Sequence, residues 1–269
     1  KRLNDFEFDE KHWYAVVGSG VIYSQFQEEC LKRGGYVVIG GGGAQASVIA
    51  NLIGDGWSPL SHRIGLPHRR ILGTEMVLPD GEIAWLGTSP DGGEDIEGYD
   101  LRGAAIGSEG MFGVVTRVLV RLIRAPQAYK TLLGGFETVD DASQTVSDII
   151  GAGIVPGALE MMDRLITQAV EAAYHFGFPL DAGAVLIVEL DGLAAGLDQQ
   201  ARRVIELCQK NRAREVRLAK TEQERADLWK SRKRAFGAIG RLSPNFITQD
   251  GVVPRSKLPD MMSFIQRCS

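Results

Sequence analysis

Short apolar runs broken by glycine fill the first half of the chain, and longer runs alternating with amphipathic stretches fill the second. Residues 13–17 predict an apolar strand that Gly18-Ser19-Gly20 ends. In residues 21–33 the apolar positions 22, 26 and 30 recur at helical spacing, Lys32-Arg33 lies at the end and Gly34-Gly35 stops the helix. Residues 36–39 predict a second strand. Residues 69–78 and 82–86 flank Pro79-Asp80-Gly81, a turn sequence between two apolar runs, so a β-hairpin is expected. Glycines at 103, 107, 110 and 113 then lead into Val114, Val115, Val118 and Val120. That pattern predicts a tight, side-chain-poor turn feeding a strand, a place where a backbone can approach something closely.

Pro126 marks a change of pattern. Beyond it, strands at 130–136, 158–162, 184–190 and 215–219 alternate with helices at 139–150, 164–175 and 193–210, and A-V-L-I-V-E-L at 184–190 is the clearest strand. This order fits a parallel Rossmann-like sheet or a ferredoxin-like antiparallel one. No phosphate loop follows any of these strands, which favours the antiparallel layout. The expected fold class is α+β, with domains at 1–125 and 126–269.

Composition narrows the function. With 269 residues, 44% of them hydrophobic, the chain can bury a sizeable core, and 24% charged residues is ordinary for a globular protein. A net charge of −4 leaves no basic footprint for nucleic acid. The three cysteines, at 30, 208 and 268, form no C-x-x-C and read as reduced thiols of a cytoplasmic protein. No apolar run of about 18 residues and no signal peptide is found, so no transmembrane segment is expected. The histidines at 12, 62, 68 and 175 lack ligand spacing such as H-x-x-x-H, and no metal site is expected.

Two loops are candidates for chemistry. The run of glycines at 40–43 lacks the G-K-[ST] and G-x-G-x-x-G contexts of nucleotide loops, and reads as a flexible crossing in preference to a pyrophosphate cradle. The loop at 54–68 is long, punctuated by Gly and Pro, and carries His62 and His68. His62 could titrate near neutrality or face a ligand, or serve as a hydrogen-bonded structural residue.

The string G-S-E-G-M-F-G-V-V-T at 107–116 resembles the G-S-E-G-x-x-G-[IV]-[IV]-T signature of FAD-linked oxidases of the vanillyl-alcohol-oxidase, or PCMH-type, superfamily. A-V-V-G-S-G-V-I-Y-S-Q-F at 15–26 and L-P-D-G-E-I-A-W-L-G at 78–87 are similar to further segments of that family. The resemblance implies that residues 1–125 are the second half of a PCMH-type FAD-binding domain, partial because the upstream Arg- and Gly-rich pyrophosphate loop is not in the chain. It implies FAD contacts by Gly107, Gly110, Gly113, Val114 and Val115, and by Gly43, Ala44, Ser47 and Asn51 in a second flavin-facing segment at 43–51.

Residues 126–269 resemble the substrate-capping C-terminal domain of FAD-linked oxidases. The likeness is nearest to the glycolate oxidase flavin subunit and its D-lactate dehydrogenase relatives, carried by G-x-L-E-M-M-D at 157–163, V-E-L-D-G at 188–192, W-K-S-R-K-R at 229–234 and V-P-R-S-K at 253–257. It implies that Arg232 holds a substrate carboxylate, with Arg255 a second candidate; the alternative is that Arg232, Lys233, Arg234 and Arg241 form a solvated basic face. The expected activity is FAD-dependent oxidation of a small 2-hydroxy acid by hydride transfer to flavin, with His62, Arg232 and Arg255 as the candidate catalytic residues. Electrons would leave through a partner subunit or a quinone, and membrane association would come only through such a partner. The family's H-A-G-D-G-N-type metal and base segment is expected beyond residue 269, so the cap domain is read as truncated. A phenol-oxidising flavoenzyme of the same fold and a non-catalytic structural subunit are the other readings.

Overall fold

The computed structural model describes residues 3–37, 45–54, 56, 58, 60–91, 95, 97–243, 245 and 247–268. The chain divides into two units, Lys1–Ala125 and Pro126–Ser269.

The first unit runs β1 (Phe6–Asp9), β2 (Tyr14–Gly18), α1 (Tyr23–Lys32), β3 (Gly35–Tyr36), α2 (Val48–Ile53), α3 (Ser61–Ile64), β4 (Ile71–Val77), β5 (Ile83–Gly87), α4 (Leu101–Ala105), β6 (Val114–Arg121) and β7 (Ile123–Arg124). Five strands form an antiparallel sheet in the order β1-β2-β6-β4-β5, and β3 pairs with β7. Period-2 alternation sets the sheet's inner face. Ala15 and Val17 of β2 and Val118 and Val120 of β6 point into one cluster, which Phe26 and Cys30 of α1 and Val48, Ile49 and Leu52 of α2 close.

Burial pushes the Cys30 thiol up to about 12, with Arg33 opposing and Glu29 adding to the rise. Cys30 is therefore an inert core residue. The expected 78–82 hairpin is present as β4–β5.

Two local expectations fail. The loop at 54–68 contains the helical turn α3, and a 3₁₀ turn at Pro67–Arg70 follows it. Gly103 is no part of a turn into β6: it lies in α4, where Asp100 Oδ1 accepts from Gly103 N at 2.9 Å. A Cβ at Gly103 would stand 2.8 Å from Asp100 Oδ2, so glycine there lets the cap close.

The second unit runs β8 (Ala128–Phe136), α5 (Val139–Gly151), β9 (Ala158–Asp163), α6 (Arg164–Tyr174), β10 (Ala184–Gly192), α7 (Leu197–Lys210), β11 (Ala213–Leu218), α8 (Glu222–Leu242) and α9 (Leu258–Cys268). Its sheet order is β11-β8-β10-β9, every pair antiparallel, as the absence of phosphate loops led one to expect. Numbered within the unit that order is 4-1-3-2, the ferredoxin-like arrangement.

Strand β10 reads as a continuous apolar run because both of its faces are covered. Ala184, Leu186, Val188 and Leu190 join the core made with α5 and α7, whereas Val185 and Ile187 join the core made with α6 and α8. Helix starts carry side-chain caps at Thr138, Asp163 and Thr221, each accepting from a backbone amide three residues on. Among the described residues no helix is long and apolar enough to cross a membrane.

Candidate functional site

In the first unit the glycine loop meets the end of α2, the helix to which Ser47 and Asn51 of the 43–51 segment belong. Gly107 N donates to Ile53 O at 2.6 Å, tying the glycine loop to the end of α2. Ser47 caps α2, accepting from Ala50 N at 3.3 Å, and its hydroxyl donates to Ser19 O at 2.8 Å. Asn51 is buried in the same helix, and its Nδ2 donates to Ser47 O at 3.2 Å. Gly43 and Ala44, with the rest of the glycine run at 40–43, lie outside the described residues.

The loop's backbone is left-handed at Gly107 (φ 73°), Glu109 (φ 51°), Gly110 (φ 81°) and Gly113 (φ 153°). The glycines do different work. Around Gly110 a Cβ would find only Gly113 O, at 3.9 Å, so its conformation and not its surroundings calls for glycine. At Gly113 a Cβ would lie 2.5 Å from Val77 O at the end of β4, so close strand packing already excludes a side chain there.

Two features of this loop fit a flat cofactor. The Ser108 hydroxyl is buried without a hydrogen-bond partner, an uncommon and costly state for a polar atom. Met111, Phe112 and Val114 are exposed at 82%, 59% and 66%, whereas Val115 turns toward the core. A short apolar ledge beside an unsatisfied hydroxyl suits a ring system with polar edges. His62 is exposed on α3.

In the second unit α8 lies on the sheet face that carries Glu160 and Glu189. The Glu189 carboxylate is buried and accepts from Thr131 Oγ1 at 3.0 Å, Arg225 Nε at 2.8 Å and Trp229 Nε1 at 2.5 Å. Arg225 also lies over the Tyr129 ring, 3.9 Å from its centroid. One β-strand over, Glu160 Oε2 stands 3.1 Å from Arg232 Nε, with the two side chains 18% and 24% exposed.

The other basic residues of this helix behave differently. Arg234 and Arg241 lie over the Tyr174 ring at 4.9 and 5.7 Å, and Lys233 is exposed. Arg232 thus differs from the solvated face with which it was grouped.

Arg255 is not brought to Arg232. It is exposed on a 3₁₀ turn whose Arg255 O accepts from Ser147 Oγ of α5, at 3.3 Å. Helix α5 covers the sheet face opposite α8. Sequence reasoning passed over Glu160 and Glu189 although both lie inside motifs it quoted. The available signal was a carboxylate interrupting an otherwise apolar strand, as in A-V-L-I-V-E-L.

Among the described residues no three His, Cys, Asp or Glu side chains are grouped to hold a metal ion. Burial pushes Cys208 to about 12 as well, which removes it from nucleophilic chemistry near neutrality.

Residues 125–269 match the family model "FAD linked oxidases, C-terminal domain", and residues 1–87 match "FAD binding domain". The glycolate oxidase subunit GlcD of Escherichia coli (strain K12) is 42% identical over 207 residues, which is 77% of this chain and 41% of that protein. GlcD of Bacillus subtilis (strain 168) is 34% identical over 267 residues, 98% of this chain and 56% of that protein. The chain thus spans about half the length of the curated relatives it matches.

The fold recurs in solved structures. An alkyldihydroxyacetonephosphate synthase superposes with a TM-score of 0.79 at 17% identity, covering 99% of this chain and 54% of that one. p-Cresol methylhydroxylase with substrate bound gives 0.64 at 16%, covering 86% and 52%. The expected α+β, PCMH-type fold is borne out, and the chain belongs to the FAD-linked oxidases.

Proposed function

We propose that this chain belongs to an FAD-dependent oxidoreductase that oxidises a small 2-hydroxy acid of the glycolate or D-lactate type. The observation that carries the reading is the G-S-E-G loop: left-handed at four positions, bonded to the end of α2, and offering an unpartnered Ser108 hydroxyl beside an exposed apolar ledge. The kinship with proteins named glycolate oxidase subunit supports the substrate class.

The cofactor, when bound, supplies the hydride acceptor. The chain's own residues would hold the cofactor and the substrate carboxylate. Residues 107–115 would receive the cofactor along main chain that carries few side chains. Ser47 and Asn51 would contact the cofactor from the second segment, and the bond from Gly107 N to Ile53 O would hold the loop against the end of α2. Domain 1–125 is read as an FAD-binding domain and 126–269 as a substrate domain. In the latter, Arg232 would hold the substrate carboxylate through the planar donors of its guanidinium, which stays charged at any working pH. His62, exposed on α3, and Arg255, on the opposite face from Arg232, are the further candidates for a part in the chemistry. A partner subunit or a quinone would take the electrons, the former suggested by relatives that are themselves called subunits.

An absorption spectrum of the protein, incubated with FAD and freed of excess, tests this reading. Paired visible and near-ultraviolet flavin bands that bleach on adding glycolate or D-lactate are expected. A protein that stays colourless refutes it.

A further inference from the structure

Helix α8 meets its sheet through two arginine–carboxylate pairs seven residues apart, Arg225 with Glu189 and Arg232 with Glu160. Seven residues are about two helical turns, so both guanidiniums leave the same side of the helix. Their acceptors stand on neighbouring strands: Glu160 of β9 is opposite Ile187, two residues from Glu189 on β10. The pairs are unlike in burial. Glu189 is 8% exposed and its carboxylate has three donors, Thr131, Arg225 and Trp229. Glu160 and Arg232 stand nearer solvent, at 18% and 24% exposure of their side chains.

We propose that Glu160 is a positioning residue: it orients the Arg232 guanidinium for a substrate carboxylate, whereas the Glu189 pair only anchors the helix. This rests on the reading of Arg232 given above. An arginine side chain has many rotamers, and a ligand that binds it must otherwise offset the entropy lost in ordering it. A guanidinium is planar, so fixing the direction of its Nε–H fixes its two Nη groups too. Glu160 supplies that fixed point at 3.1 Å.

Electrostatics alone predicts the opposite consequence of losing Glu160. Without the carboxylate, Arg232 would attract an anion more strongly. The two effects have opposite signs, so the direction of the change decides between them.

The experiment uses the FAD-loaded protein, with oxalate as a non-oxidisable carboxylate probe measured by calorimetry and glycolate turnover measured alongside. Glu160→Ala is expected to weaken oxalate on the order of tenfold and to raise KM more than it lowers kcat. Glu160→Gln, which keeps an acceptor for Nε–H, is expected to restore most of that loss. In an Arg232→Ala background, Glu160→Ala should add nothing, since the one acts through the other.

Unchanged or tighter oxalate binding by Glu160→Ala overturns the proposal. Should that variant fail to fold, Glu160→Asp, whose carboxylate is drawn back by one methylene, must weaken oxalate several-fold, and an unchanged affinity overturns the proposal equally. An Arg232→Ala protein that binds oxalate like the unaltered chain strikes down the carboxylate-holding reading of Arg232 and this inference with it. Weakened binding in Arg232→Ala with none in Glu160→Ala removes this inference alone.

Discussion

The glycine loop of the first unit and the α8 face of the second show two ways of holding a local structure in shape. The loop works through main chain. Its conformation depends on left-handed positions and on a backbone bond from Gly107 to Ile53, while its one singled-out side chain, Ser108, has no partner. The α8 face works through side chains: Glu189, Arg225, Trp229, Thr131, Glu160 and Arg232 reach one another across a helix and three strands. A main-chain surface tolerates side-chain change but not a Cβ in the wrong place, and a side-chain surface behaves in reverse. Substitutions should therefore separate the two regions cleanly.

The largest effect is expected in the second unit from Glu189→Ala. It takes the acceptor from the Trp229 indole N–H and leaves Arg225 with Glu222 alone as a carboxylate partner, and breaking such a pair from one side costs about 3 kcal/mol. Urea unfolding should show that loss, with Glu189→Gln losing clearly less. Equal losses in the two variants would mean that acceptor geometry does not hold α8 in place.

A smaller effect, about 2 kcal/mol, is expected in the first unit from Gly113→Ala. The residue's φ of 153° and the Val77 carbonyl 2.5 Å from the added Cβ both oppose it. Here the sharper readout is FAD affinity, because displacing the loop from β4 disturbs the surface on which the cofactor is proposed to rest. Unaltered stability and FAD affinity would break the contrast between the regions.

The smallest effect concerns acid. Asp148, held by Lys210 Nζ at 2.8 Å and Asn211 Nδ2 at 3.1 Å, is kept down to about 2, the Lys210 hydrogen bond being the main cause. Its ordinary value is about 3.9, so its contribution is complete above that pH and disappears as pH falls toward the folded value. The thermal midpoint should fall more steeply between pH 5 and pH 2, both rough limits set by that window, for the unaltered protein than for Asp148→Asn. Parallel slopes would remove Asp148 from the link between α5 and α7.

The two regions also differed in how plainly the sequence announced them. In the second unit the apolar run of β10 and the amphipathic period of α5 gave strands and helices nearly to the residue, because local pattern and tertiary burial agree there. Lack of phosphate loops argued for the antiparallel sheet that is found. In the first unit the helical turns at 61–64 and 101–105 were hidden: each is too short to show a period, and α4 contains a glycine that punctuation rules read as a break.

Of the candidate site, the loop and Arg232 were visible through family motifs. The partners of Arg232 were not, since an ion pair between residues 160 and 232 leaves no trace in local spacing. The division of labour among the glycines was equally hidden. Only the packed strand shows that Gly113 answers to Val77, while Gly110 answers to its own dihedral angle.

The seven-residue interval on α8 restricts how this protein can vary by insertion and deletion. Each residue of a helix advances it by about 100°, so one residue gained or lost between positions 225 and 232 would rotate Arg232 a quarter-turn or more away from β9 while leaving Arg225 docked. Spacing here is under tighter constraint than the identity of most residues that fill it. Related chains should therefore keep the length of this stretch even where its composition drifts.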